Sequence, residues 1–177
     1  MRDVNSTAPL LGRLAAGWGV IGVVGLLAQA LARLGPRALE AMRMDLGAVQ
    51  WLVLAGWVGF MAYAEGWRGF HLRFSPRVVA RAQTLLRGAS PLHRAFAPFY
   101  CMSLVHAPRR GLIVAWSVLV GIGGLVLVVS TMSQPWRGII DAGVVVGLGI
   151  GLASIVWHAV RASAGTSAPA SPDLPQG

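Results

Sequence analysis

Four stretches of the chain stay apolar for a membrane's thickness: "LAAGWGVIGVVGLLAQALARL" (about 14–34), "LGAVQWLVLAGWVGFMAYA" (about 46–64), "GLIVAWSVLVGIGGLVLVVSTM" (about 111–132) and "GIIDAGVVVGLGIGLASIVWHAV" (about 138–160). About twenty helical residues cover the roughly 30 Å hydrocarbon core of a bilayer. Soluble core helices are seldom this long and this uniformly apolar. The pattern predicts an all-α integral membrane four-helix bundle over residues 1–160.

Between the second and third spans the pattern turns amphipathic. Ser75-Pro76 and Ser90-Pro91 each read as a helix start, with serine as N-cap and proline in the first turn. The first helix gathers Val78, Val79, Ala82, Leu85 and Leu86 on one face and Arg77, Arg81, Thr84 and Arg87 on the other, and Gly88 ends it. The second sets Leu92, Phe96, Phe99, Tyr100 and Met102 against Arg94 and Ser103. A basic helical hairpin over about 75–105, lying in the headgroup plane, is the expectation. A short helix over 35–45, begun by Pro36, is expected between the first two spans, with Glu40 paired to Arg37 or Arg43. The small, proline-rich stretch 161–177 reads as a disordered tail.

Composition fits the membrane reading. Of 177 residues only 12% are charged, against about 25% in a soluble domain. Mean hydropathy is +0.64. All 15 basic residues are arginine and the formal net charge is +9. Eleven arginines fall on the side that four spans give to both termini and the 65–110 segment, and four fall on the other, counting Arg33 at the membrane edge. The positive-inside rule puts that richer side in the cytoplasm. Trp51, Trp67, Trp116, Trp136, Trp157 and Tyr63 fall near span ends, as an interfacial belt does. Nucleic acid is not expected as a partner, because the arginines flank apolar spans instead of covering a soluble face.

Few residues invite chemistry. Cys101 is the one cysteine, so no disulfide framework forms within the chain. Asp141 lies about one turn inside the fourth span, four residues after Arg137, and an ion pair between them is expected. Glu65 closes the second span at the end where the helix dipole disfavours an acid. It is expected to pair with Arg68, Arg109 or Arg110. Gly143, Gly147 and Gly151 form a small-residue ridge for close helix packing, inside one bundle or between copies. His71, His93, His106 and His158 are the candidates for haem or metal, yet none sits in a recognised ligand spacing and no cofactor is expected.

Glu65-Gly66-Trp67-Arg68-Gly69-Phe70, Phe74-Ser75-Pro76-Arg77 and Pro135-Trp136-Arg137-Gly138 resemble motifs of a family of uncharacterised bacterial four-span integral membrane proteins, over about residues 10–160. The resemblance implies a bacterial inner membrane and brings no activity. The leading expectation is a non-enzymatic scaffold or accessory subunit. It would dock anionic lipid headgroups or a membrane-protein partner through Arg73, Arg77, Arg81, Arg87 and Arg94, and a homo-oligomer is also possible as a partner state. A small transporter or channel using Asp141 and Glu65 is the alternative. An enzyme on lipid-borne substrates, with Glu65, His71 and His106 converging at the inner leaflet, is the third reading.

Overall fold

A computed structural model describes residues 4–86, 90–165 and 170–175, with no side-chain detail for 4–9. Helix α1 (Val4–Met42) is followed by α2 (Ala48–Met61), a π-helix π1 (Ala62–Phe74), α3 (Ser75–Leu85), the short α4 (Pro91–Ala95) and α5 (Ala97–Cys101), then α6 (Arg109–Ser130) and α7 (Trp136–Ser163). Among the described residues there is no strand. Three helices, α1, α6 and α7, are each long and apolar enough to cross a membrane.

α1 does not stop at Gly35-Pro36. The separate helix expected over 35–45 is the last part of a 39-residue rod. Its final turns are held from outside, because Ala41 and the Arg37 carbonyl pack on Gly138 of α7. Tertiary packing there offsets the hydrogen bond that Pro36 removes. Glu40 accepts a hydrogen bond from Gln134 Nε2 at 3.2 Å, and Gln134 Oε1 accepts from the Gly138 N–H at 3.0 Å. These contacts tie the α1 terminus to the start of α7.

The largest departure from the expected pattern lies at residues 62–85. The chain does not leave the bundle after residue 64. It stays helical without a break from α2 through π1 into α3. Ser75 is helical itself, at φ −61° and ψ −45°, and its N–H donates to the Phe70 carbonyl five residues back. Its hydroxyl is buried without a partner, so it caps nothing. A capping serine needs a free helix start, and here the helix arrives already formed. Pro76 falls at the change from π to α register, in the first turn of α3, where a missing N–H is tolerated. Ser90 does cap its helix, accepting from the His93 N–H at 3.3 Å.

The packing is parallel and close. Trp57 meets Gly143, Glu65 meets Gly147, Gly66 meets Ile150 and Phe70 meets Gly151, so α2 and π1 run alongside α7. α3 is not a helix lying on a surface. Val78, Val79, Ala80, Arg81, Ala82 and Leu85 are all buried. At the end of the bundle nearer the chain termini, Ala15 and Val23 of α1, Val78 of α3, Cys101 of α5 and Ile155 of α7 form one core. Ala38, Leu54, Ile139 and Ala142 form a smaller one at the other end. α6 stands apart, with Val129 its one buried residue among those described. It is tied at its ends, by Trp116 Nε1 donating to the Leu104 carbonyl and Arg137 Nη1 donating to the Ser130 carbonyl.

The contact at Gly138 is testable. A Cβ there falls 2.4 Å from Ala41 Cβ and 2.5 Å from the Arg37 carbonyl oxygen, whereas one at Gly149 meets nothing within 4 Å. Gly138→Ala is expected to destabilise the protein by about 1–3 kcal/mol and Gly149→Ala by less than about 0.5. Thermal unfolding in detergent, followed by size exclusion, separates the two.

Candidate functional site

The polar groups of the interior collect along the seam between α7 and the α2–π1 run. From the end opposite the termini they come in the order Trp57, Glu65, His71 with Ser154, and His158; Asp141, two residues before Gly143, lies on another face of α7, near Arg37 and Arg137. α7 supplies its members at α-helical intervals. π1 supplies its own at five-residue intervals, since residues 61, 66 and 71, like 65 and 70, repeat on one face when each N–H bonds five residues back. Gly66 and Gly69 help this register, because glycine holds an α-helix weakly. Seven residues of α7 separate Gly147 from Ser154, roughly 10 Å of helix, and the seam covers that stretch with one turn of π1.

Glu65 lies against Gly147, near the middle of the stretch 138–160. It was expected at a span end. One carboxylate oxygen, Oε2, is buried with no hydrogen-bond partner, and no ion pair to Arg68, Arg109 or Arg110 forms among the described residues. Geometry explains the failed pairing with Arg68: a three-residue step shares a face in an α-helix, whereas the register here repeats every five. Arg68 is exposed, and so are Arg109 and Arg110 at the start of α6.

Asp141 is also buried, with Oδ2 unpartnered. The expected ion pair with Arg137 is absent among the described residues. Arg137 turns instead to the last turn of α6 and donates to the Ser130 carbonyl at 3.3 Å, where a helix C-terminus favours a cation. The charges of Arg137 and Arg37 still act on Asp141 through space. Trp57 Nε1 donates to the neighbouring Ile140 carbonyl at 3.0 Å and fills the notch above Gly143.

The histidines sort into two pairs. His71 Nδ1 and Ser154 Oγ are 2.9 Å apart, and the His71 ring lies 5.4 Å from that of His158 and 4.5 Å from Trp67. His158 Nε2 is buried without a partner. His93 and His106 face each other at 4.4 Å beside Tyr100. Burial, with the nearby charges of His106 and Arg81, lowers the His93 pKa. His71 and His106 therefore join different partners and do not converge with Glu65 as the enzyme reading required. Among the described residues no three His, Cys, Asp or Glu side chains gather as metal ligands.

The expected lipid-facing arginine row divides. Arg73 is exposed, Arg77 and Arg94 are half-buried, and Arg87 lies outside the described residues. Arg81 is fully buried. Its Nε donates to the Tyr100 carbonyl at 2.6 Å, Nη1 to the Pro172 and Asp173 carbonyls at 3.0 and 3.1 Å, and Nη2 to those of Val105 and His106 at 3.0 and 2.9 Å. The guanidinium also lies 4.3 Å from the Tyr100 ring centroid. Its donors face five backbone carbonyls, the arrangement that makes a buried cation tolerable. Residues 161–163 belong to α7 and 170–175 are held here, so that part of the chain is not a free tail. A weak signal lay in its neighbours: Arg81 stands between Ala80 and Ala82, on a helix whose small residues allow close approach on several sides.

Comparison with known protein families, with curated proteins and with solved structures yields no match.

Two outcomes are expected here. Arg81→Met leaves the carbonyls unpaired and costs about 3 kcal/mol or more, with Arg81→Lys intermediate because an ammonium lacks the planar fork. Hydrogen exchange at residues 170–175 should rise markedly in Arg81→Met, and unchanged protection there would contradict the clamp. Cys101 is buried against Gly19, and burial pushes its thiol up to about 12, against the opposing pull of Arg81. The thiolate is the reactive form, so Cys101 in the folded protein at neutral pH should resist a maleimide that labels it at once after denaturation.

Proposed function

We propose that this chain is a four-span protein of a bacterial inner membrane that conducts protons along the seam between π1 and α7. The observation that carries this reading is Glu65, a carboxyl group seated on Gly147 inside the bundle with an oxygen that no group among the described residues satisfies. An acid in a membrane interior is costly and marks a pathway by default, and chains of Asp, Glu and His serve as proton relays. His71 and His158 follow Glu65 along the seam, while Asp141 is buried on another face of α7. Neutral and charged forms of these groups differ by one proton, which is the cargo. The steps exceed a hydrogen bond, so water entering transiently completes each transfer.

The fourth crossing in this proposal is the α2–π1 run. It lies along α7 from Trp57 to His71, and α7 is itself long enough to cross. The arginine excess then puts both termini and α3–α5 in the cytoplasm. Exposed Arg13, Arg73, Arg109, Arg110 and Arg161 favour a second reading in which that face also docks anionic headgroups or a partner protein. The almost fully exposed α6 leaves room for a membrane-protein partner or another copy.

The direct experiment is proton flux into liposomes holding the full-length protein, driven by a potassium diffusion potential and read by an internal pH dye. Glu65→Gln is expected to lower the flux at least tenfold, with protein that stays monodisperse. A wild-type flux no greater than that of empty liposomes, or a Glu65→Gln flux equal to wild type, overturns the proposal.

A further inference from the structure

At the terminal end of the bundle, residues 172–174 are seated between two helices. The Pro172 and Asp173 carbonyls accept from Arg81 of α3, and Leu174 packs on the core. The Asp173 carboxylate lies against Gly111 in the first turn of α6, where the helix dipole favours an acid. The segment therefore bridges α3 and α6, and α6 buries only Val129 of its own residues among those described.

The backbone around this bridge is strained. Three non-glycine residues among those described have positive φ, and all three are here: Ser103 at 62°, His106 at 50° and Asp173 at 52°. Such conformations persist only where their surroundings hold them. Arg81 does the holding, since the carbonyls of Val105 and His106 share its guanidinium with those of Pro172 and Asp173. A shift of the loop at 105–106 takes two of five acceptors from a buried cation, and the others are then too few to keep it there.

A titratable pair sits on that loop. The His106 ring faces His93 of α4 at 4.4 Å. Tyr100 of α5 lies 5.1 Å from His93 and 6.1 Å from His106, with the Arg81 guanidinium 4.3 Å from its ring centroid. α1 meets α4 through Trp18 and has no titratable residue between Arg13 and Arg33. Arg94 follows His93 on α4, and Arg109 begins α6 three residues after His106. Arg77 and Asp173 act on Arg81 through space, the first against its charge and the second for it. A proton on His93 thus enters a neighbourhood where cations outnumber acids. Burial, with the charges of His106 and Arg81, already holds the His93 pKa below its ordinary value.

We infer that His93 and His106 form an acid-sensitive clasp on residues 172–174: with both rings neutral the segment stays seated between α3 and α6, and protonation of the pair releases it. Two imidazolium rings at this separation repel each other, and the strained turn at His106 relaxes when the loop moves. Release returns His93 to an ordinary pKa of about 6.5, so the closed form binds fewer protons than the open one. Closure is therefore at full strength above about pH 6.5 and is lost as pH falls from there through the lowered pKa of His93. The clasp follows from this packing and does not depend on proton conduction.

Pulsed EPR distances in the full-length, detergent-held protein test it. With Cys101→Ala, one spin label is placed by Pro175→Cys, at an exposed position beside the seated segment, and one by Met44→Cys, exposed just beyond α1. A single narrow distance is expected at about pH 8, and a broad distribution at about pH 5 with the narrow population about tenfold smaller. His93→Gln should stay narrow at both. Labels at 44 and at Ala153→Cys, exposed on α7, should keep one distance throughout. An unchanged 44–175 distance at the lower pH overturns the proposal, and so does a release that His93→Gln leaves intact. Broadening of the 44–153 distance together with the other also overturns it, since that is general acid unfolding. Glu65→Gln, which is expected to stop proton flux, should release the segment as wild type does, so this inference and the conduction reading fail separately.

Discussion

Glycine at positions 143, 147 and 151 removes the side chains that would hold α7 away from its neighbour, and Trp57, Glu65 and Phe70 occupy the three notches in turn. In lipid no hydrophobic force draws helices together, so close van der Waals contact of this kind supplies much of their association. The fit also explains the π-helix. Notches spaced four residues apart on α7 take Glu65 and Phe70, five residues apart on π1, because the wider register gives fewer turns over that stretch. Everything that makes the interior unusual follows from that match. It carries the rod past residue 64, keeps it beside α7 and brings an acid to mid-bundle depth.

Arg81 does at the terminal end what the glycines do along the seam. A buried guanidinium without partners would cost several kcal/mol. Here carbonyls from α5, the loop at 105–106 and residues 172–173 converge on it. Thr84 adds a contact of 2.8 Å between its hydroxyl and that of Tyr100. Elements distant in sequence share one cation, which orders a region with few long helices. Its neighbours Val78, Ala82 and Leu85 bury apolar surface against α1 and α5 at the same time.

Much of the helical plan was legible from hydropathy, because α1, α6 and α7 are long apolar runs and length alone identifies them. The stretch 62–85 was not, for a physical reason. Its polar residues face protein on some sides and open surroundings on others, so its mean polarity resembles a chain leaving the membrane. Local rules also pointed the wrong way. Ser75-Pro76 has the composition of a helix start, and a serine cannot report that the preceding thirteen residues are already helical. Arg68 and Arg137 stand at α-helical spacings from Glu65 and Asp141. One spacing fails because the helix is not α, and the other because a helix C-terminus at Ser130 competes for the guanidinium. Burial of Arg81 depended on residues 172–173, far beyond any local window.

Disulfide mapping of the seam reads the π register and the depth of Glu65 together. A Cβ at position 147 falls 3.3 Å from Glu65 Cβ, near the roughly 3.5–4.5 Å that a disulfide spans. With Cys101 replaced by alanine, cysteines are placed in pairs at 65 and 147, at 70 and 151, and at 69 and 151, and mild oxidant is applied to native membranes. The account predicts that the first two pairs cross-link and the third does not. Cross-linking of 69 with 151 in preference to 70 with 151, or no link between 65 and 147, would contradict the π register and the interior position of Glu65.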